Sequence, residues 1–226
     1  MPTLEQLAKL ASYDSATIAN AIESFKVRPQ VEGYCGLDIR AMMPDYTAKV
    51  GYAITATADS TTENYTAPNQ LYALYKAIKA AGRPVFVVLK DVSQNRNRSC
   101  HAGDVMSSTF QACGAVGLIT DGGVRDISGI RQRAPGFGVF AAGCTVSHGM
   151  PRIVELGVRV EISGLTINPG DLLHADANGI VTIPLSFVDQ LSAAADAVLK
   201  KEAETVAMVQ APGFKLQDMA DKYGWH

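Results

Sequence analysis

Residues 103–126 read Gly103-Asp104-Val105-Met106-Ser107-Ser108-Thr109-Phe110-Gln111-Ala112-Cys113-Gly114-Ala115-Val116-Gly117-Leu118-Ile119-Thr120-Asp121-Gly122-Gly123-Val124-Arg125-Asp126, and this stretch decides the fold. Asp104 to Cys113 suits a short helix that Gly114 ends, because glycine adopts the left-handed cap without penalty. Ala115–Thr120 is apolar and short, as a buried strand is. A Gly-Gly loop follows, and a further short helix is expected near Asp126–Gln132. Upstream, Pro84 introduces Val85–Leu89, apolar throughout and so expected at the centre of a sheet.

Working outward, Leu4, Leu7, Leu10 and Ala11 keep helical spacing, and Asp14 or Ser15 caps a second helix through Ile18, Ile22 and Phe25. Residues 27–46 are broken by Pro29, Gly33, Gly36 and Pro44. Gly51–Ala58 reads as a strand. Pro68 to Ala81 reads as a helix closed by Gly82. Gly138–Ala142, Val158–Ser163, Asp171–Ala175 and Gly179–Ile183 read as strands, with turns at Asn168-Pro169-Gly170 and Asp176-Ala177-Asn178-Gly179. A long Ala-rich helix is expected from about Ser186 to Val209. Helices and strands mix from end to end without a linker or repeat, so residues 1–226 are expected to form one α/β domain.

Composition narrows the function. Of the 226 residues, 47% are hydrophobic and 19% charged, which excludes a disordered chain. Lys and Arg number 20 against 22 Asp and Glu, a net charge of −2, so binding of nucleic acid through a general basic field is not expected. No apolar run approaches the roughly 20 residues that span a bilayer, and the first residues lack a signal-peptide pattern. A soluble cytoplasmic protein without membrane contact is expected. Cys35, Cys100, Cys113 and Cys144 show no C-x-x-C pairing and are expected as free thiols.

Twenty residues separate Asp104 from Arg125. A helix of about 8 residues rises roughly 12 Å and a strand of about 6 spans nearly 20 Å, so the two ends can meet. Gly103 would let a ligand approach the backbone. The amides of Val105 and Met106 are expected unpaired at a helix N-terminus, where an anion is favoured. Arg125 offers a planar fork to a carboxylate or enolate oxygen. Asp104 and Asp126 are hard oxygen donors suited to a water-rich Mg²⁺ or Mn²⁺. Residue types alone leave open that Arg125–Asp126 pins a turn and that Asp104 caps a helix.

The segment Gly103 to Asp126, with Asn168-Pro169-Gly170-Asp171 and Ala175-Asp176-Ala177-Asn178-Gly179 downstream, resembles the RraA-like family. That family includes class II 4-hydroxy-4-methyl-2-oxoglutarate/4-carboxy-4-hydroxy-2-oxoadipate aldolases, whose signature Asp-x20-Arg-Asp appears here as Asp104-x20-Arg125-Asp126. The resemblance is strongest from about Ala102 to Pro184. It implies an αββα sandwich like the swivelling phosphohistidine domain, assembled as a homotrimer or homohexamer. The helix and tail from about residue 186 would pack at a subunit interface. Asp126 would ligate the metal and Asp104 would hold metal-bound waters; both Asp104 and Arg125 would be catalytic. Arg125, Gly103 and the amides of Val105 and Met106 would hold the pyruvoyl end of a 2-oxo acid. Pyruvate would leave through an enolate, with oxaloacetate decarboxylation as a side activity. RraA proteins that regulate ribonuclease E by protein binding are the alternative the resemblance offers.

One departure stands out. Aldolase members carry an acid at a Thr-x-x-Glu/Asp-Ala pattern where this chain has Asn20. A second acid, supplied to the neighbouring subunit, would come from Glu202 or Glu204. Other signals are weaker. Gly136-Phe137-Gly138-Val139-Phe140-Ala141 matches G-x-G-x-x-A but runs into a strand instead of opening a helix, so a dinucleotide is not expected. No methyltransferase loop follows the first strand, and no G-x-S-x-G elbow is present. His101, His148, His174 and His226 lack zinc-ligand spacing. His101 is either a pocket residue or an exposed loop residue, and Cys113 is expected to pack.

Overall fold

Both faces of the run Val85–Leu89 are covered: Val85, Val87 and Leu89 point into one apolar core, Phe86 and Val88 into another. That alternation is the period-2 geometry of a strand. The protein is described here by a computed structural model covering residues 1–225; His226 lies outside the described residues.

In chain order the elements are α1 (Leu4–Leu10), α2 (Ser15–Glu23), β1 (Arg40–Ala41), β2 (Lys49–Asp59), α3 (Leu71–Ala80), β3 (Val85–Asp91), α4 (Asp104–Cys113), β4 (Ala115–Thr120), β5 (Gly123–Val124), α5 (Ile127–Arg133), β6 (Gly138–Ala141), β7 (Gly143–Cys144), β8 (Arg152–Leu156), β9 (Val160–Ile162), β10 (Leu165–Ile167), β11 (Leu172–Asp176), β12 (Gly179–Ile183), α6 (Val188–Gln210) and α7 (Leu216–Tyr223). The main sheet runs β1-β6-β4-β3-β2-β11-β12, with β8 also on β2. Strands β2, β3, β4 and β6 are mutually parallel. The first half of the long β2 pairs antiparallel with β11 and its second half with β8.

Helical residues such as Leu10, Ile18, Leu74, Phe110, Ile130 and Leu191 fill the larger core on one face of the sheet. The antiparallel pair β9–β10 covers the other face with Val160, Ile162, Leu165 and Ile167. The expected α/β sandwich is therefore present. Gly114 closes α4 at φ 114°, the left-handed cap expected of it.

Several elements differ from the sequence reading. The strand expected at Val158–Ser163 stops at Ile162, because Ser163 (φ 47°) and Gly164 (φ 80°) form a tight hairpin turn into an unanticipated β10. Strand β8 was not expected either; of its five residues only Ile153 is buried, so it lacks a clear alternation. Helix α7 buries none of its residues and so carries no core-facing spacing.

The α1–α2 corner is held from the sheet. Asp14 caps α2 by accepting from the Thr17 amide at 2.6 Å. His174, fully buried on β11, lies 3.2 Å through Nε2 from the Leu10 carbonyl, so Nε2 is the donor. Its Nδ1 then accepts from the Ser15 hydroxyl at 2.8 Å. Asp176 accepts from the Ser15 amide at 2.8 Å. All four cysteines are free thiols, and Cys113 packs against the larger core. No helix among the described residues is long and apolar enough to cross a membrane.

Candidate active site

The site forms where β3 and β4 end, the carboxyl edge at which open α/β sheets receive ligands. The segment before α4 runs alongside the segment after β4. The His101 amide donates to the Gly123 carbonyl at 2.9 Å, and the Arg125 amide donates to the Ala102 carbonyl at 3.0 Å. This step sets Gly103 directly against Arg125 and Asp126, so the helix-and-strand return brings together the residues that the spacing joins.

Asp126 sits at φ 57° and ψ 40°, a left-handed conformation that aspartate tolerates better than most residues, and it precedes the first turn of α5. Its Oδ2 lies 3.2 Å from Nε of Arg125, with both side chains partly open to solvent. A Cβ on Gly103 would stand 2.6 Å from that same Oδ2 and 3.2 Å from Arg125 Nε. The pair rests on bare backbone.

Asp104 opens α4 and is nearly buried. Its Oδ2 forms an ion pair with Nη1 of Arg133, from the last turn of α5. Its Oδ1 accepts from the Val105 amide at 2.8 Å. This corrects one expectation: the Val105 N–H is engaged by its neighbour's carboxylate, while the Ser107 amide bonds the Gly103 carbonyl at 3.0 Å and Met106 lies between them in the first turn. Gly129 supports the arrangement, since a Cβ there would come within 3.0 Å of Asp104 Oδ2. Arg133 was missed by sequence reasoning; a basic residue in the last turn of a helix commonly serves the helix dipole, and nothing local marks it as a partner for Asp104.

Gly103, Asp104, Met106 and Arg125 line a cavity of about 220 Å³. That is below the roughly 300–1,000 Å³ of drug-sized ligand sites and suits a small metabolite. His101 also lines it and is buried, so the exposed-loop alternative does not hold. His101 Nε2 approaches Asp91 Oδ1 at 3.3 Å. Asp91 also accepts from the Ser93 amide at 2.7 Å and from the Ser99 hydroxyl. Burial alone would raise the Asp91 carboxyl, but the close approach of His101 and the hydrogen bonds from Ser99 and Ser93 outweigh it and hold the group well below the usual carboxylate range. Asp121 ties the strand ends together, accepting from the Asp91 amide at 2.7 Å and from Lys90 Nζ at 2.6 Å. Of this polar network only His101 lines the cavity.

Glu202 and Glu204 lie on α6 and do not line this cavity. Glu202 accepts from the Asn20 amide group of its own chain at 3.4 Å. Exposed His148 stands at the cavity, a position the sequence reading did not assign. Gly138–Ala141 is strand β6, as the rejection of a dinucleotide fingerprint required.

Comparison with known proteins places the chain. The family described as "RraA-like: Aldolase/RraA" matches residues 15–182. A Halalkalibacterium halodurans protein named "Putative 4-hydroxy-4-methyl-2-oxoglutarate aldolase" is 32% identical over 113 residues, 50% of this chain and 52% of that protein. Protein DlpA of Legionella pneumophila is 29% identical over 123 residues, 54% of this chain and 20% of DlpA. The chain therefore spans about half or less of the length of these curated relatives. Among solved structures, Streptomyces coelicolor RraAS2, described as an unusual member of the RNase ES inhibitor RraA protein family, superposes with a TM-score of 0.70 at 22% identity over 90% of this chain and 96% of its own. A Pseudomonas syringae pv. tomato protein gives 0.73 at 22% identity over 98% and 95%. These likenesses establish a shared fold, and with the match over residues 15–182 the chain belongs to the RraA-like family.

Proposed function

We propose that this chain is a divalent-metal-dependent lyase that cleaves 4-hydroxy-2-oxo acids and releases pyruvate. The observation that carries the reading is that Asp104 and Arg125 line one small cavity with Gly103, while Asp126 stands outside that lining beside Arg125 and Gly103. The aldolase names borne by relatives such as the H. halodurans protein support it.

The donor set bears on the metal. No group of three or more His, Cys, Asp or Glu side chains is placed to hold an ion among the described residues. A closed zinc-type cage is therefore a poor fit, whereas Mg²⁺ or Mn²⁺ keeps most of its waters and needs only one or two carboxylates. Asp126, partly open to solvent, would be the direct ligand. Asp104, already paired with Arg133, would help to hold the ion through its water shell. When bound, the ion supplies Lewis-acid polarisation of the 2-oxo group.

The chain's own residues do the rest. Arg125 donates to the carboxylate and C2 oxygen of the pyruvoyl end, and its contribution grows as negative charge develops there. The Met106 amide, in the first turn of α4, adds a backbone donor. The C3–C4 bond breaks with its electron pair passing to C3, and the C4 hydroxyl proton leaves through ordered water as the carbonyl product forms. Protonation at C3 completes pyruvate. Loss of carbon dioxide from oxaloacetate gives the same enolate and is the expected side activity.

The active unit is one RraA-like domain in a homotrimer or homohexamer. Helices α6 and α7 leave Leu199, Val206, Val209, Leu216 and Tyr223 exposed, which supports a subunit interface along the segment from about residue 186. Glu202 and Glu204 are the acids that such an interface would offer a neighbouring site.

The test is pyruvate release from a panel of 4-hydroxy-2-oxo acids and oxaloacetate, with Mg²⁺ or Mn²⁺ and with chelator. Metal-dependent turnover that Asp126→Ala abolishes is expected. Equal rates for wild type and variant would overturn the lyase reading, and tight binding of ribonuclease E without turnover would put the regulator in its place.

A further inference from the structure

Asp104 sits in a slot between two helices. Its Oδ1 accepts from the Val105 amide at 2.8 Å, and its Oδ2 pairs with Nη1 of Arg133. Gly129 stands four residues before Arg133 on α5 and so shares a face of that helix with it. It brings bare backbone against the same carboxylate: a Cβ on Gly129 would stand 3.1 Å from the Asp104 Cβ and 3.3 Å from its Cγ. The side chain is thus gripped at both oxygens and along its stem. An ionised carboxylate offers about four lone pairs, so the Val105 amide and Arg133 leave part of its accepting capacity open.

Docking of α5 does not depend on that pair. Ile130 and Ala134 are fully buried in the larger core and anchor the helix on either side of Arg133. Gln111, on α4, donates through Nε2 to the Pro135 carbonyl at 2.9 Å and joins the two helices a second time. Arg131, in the same last turn, makes its own pair with Asp45 through both Nη atoms. The two arginines therefore hold one carboxylate each, and they differ in what that carboxylate faces. Asp104 lines the cavity, and Asp45 does not.

We infer that Arg133 is a positioning residue for the divalent ion: by holding Oδ2 it fixes Asp104 in the orientation from which that carboxylate supports the ion's water shell, and so sets the affinity of the site for the metal. This rests on the metal-dependent reading of the site and goes beyond it by giving a function to a residue outside the cavity lining. Helix α5 then serves both carboxylates, presenting Asp126 ahead of its first turn and gripping Asp104 from its last. Two effects of Arg133 oppose each other. Its charge repels a cation, while its contact removes the freedom of Asp104. The Arg133 side chain is 62% exposed, so water and salt screen the repulsion; the Asp104 side chain is only 13% exposed, and the contact acts on it directly. Positioning wins. Loss of an outer partner of a metal-holding group commonly costs about 10–100-fold in metal affinity.

Mn²⁺ titration of the full chain, followed by loss of the free-ion electron paramagnetic resonance signal, tests the inference without turnover. Arg133→Met should bind Mn²⁺ about tenfold or more weakly than the wild type. Arg133→Lys keeps a cation for the single contact with Oδ2 and should recover most of that loss. Arg131→Met is the control. It removes an ion pair from the same turn of α5, so it should lower the thermal midpoint as Arg133→Met does, by a few degrees, and leave Mn²⁺ affinity unchanged. Unchanged or tighter Mn²⁺ binding in Arg133→Met, an equal loss in Arg131→Met, or no recovery in Arg133→Lys would overturn the inference. A wild type that binds no Mn²⁺ removes the metal from the site and the role of Arg133 with it. Pyruvate release then separates this role from the lyase. Affinities in the expected order with no pyruvate from any substrate remove the lyase and leave Arg133 as the positioning residue. Metal-dependent release, with wild-type Mn²⁺ affinity in Arg133→Met, removes the positioning role and leaves the lyase standing.

Discussion

Gly103 and Asp126 are in contact through an atom that Gly103 does not have: a Cβ there would stand 2.6 Å from Oδ2 of Asp126. The Gly103 backbone, at φ −125° and ψ −163°, is extended and accessible to alanine. Gly103→Ala therefore acts by displacing Asp126 and Arg125, without straining its own backbone. Pyruvate release should fall about 100-fold, equivalent to ~2.7 kcal/mol of barrier. The unfolding midpoint should move by only a few degrees, because the displaced side chains are partly exposed and can yield. Unchanged kcat/KM in Gly103→Ala would separate the pair from the chemistry.

Asp126 combines a backbone role with a charge, and two substitutions separate them. Asparagine tolerates the left-handed conformation at φ 57°, whereas alanine there costs about 1–2 kcal/mol. Mn²⁺ titration should show loss of binding in both Asp126→Asn and Asp126→Ala, while denaturant unfolding should show a stability loss in the alanine variant alone. Retained Mn²⁺ affinity in Asp126→Asn would move the ion away from this residue.

Asp91 predicts an acid limb in stability. Its folded carboxyl is held below the unfolded value of roughly 3.9. The folded state therefore binds fewer protons than the unfolded chain below that pH, and the contribution is whole above about pH 4 and lost as acid is added. Asp91→Asn should cost about 2 kcal/mol at pH 7, in the range of a hydrogen bond to a charged group. It should also flatten the loss of stability between about pH 4 and 3 in urea titrations. A parallel acid limb in wild type and variant would assign that limb to other groups.

His174 predicts a separate and milder window. Burial pushes its imidazole below the ordinary value, and Asp176 opposes this only in part. Below the unfolded pKa of about 6.5 the unfolded chain takes up a proton that the folded chain resists. Stability should be full above that pH and decline from about pH 6.5 towards 5, with His174→Gln removing the slope at some cost to packing. Thermal midpoints across that range measure it, and an unchanged slope in the variant would exclude His174 as its source.

What the sequence made legible was local or regular. Gly114 marked the end of α4, the apolar run of β4 followed at once, and the interval from Asp104 to Arg125 could be converted into lengths of helix and strand. The approach of Asp104 and Arg125 to one cavity, with Asp126 beside Arg125, was readable for that reason. Other residues at the cavity come from elsewhere in the chain. Arg133 reaches Asp104 across two helices, and Leu71 and Tyr75 arrive on α3, before β3 begins. His101 is buried because the segment 100–102 is drawn in beside β5, a pairing that no local pattern announces. The Val105 amide was assigned to a ligand because helix N-termini expose donors, and a neighbouring carboxylate competes for that donor successfully.

The two cores also give the interval between aspartate and arginine a mechanical meaning. Along β4, Leu118 points into the larger core and Ile119 into the smaller one. One residue added to that strand would exchange every side chain between the two sides. One added to α4 would turn its apolar face by about 100°. The twenty-residue count is therefore a ruler enforced by the packing of the layers, and the chemistry at the edge takes its spacing from the scaffold beneath it.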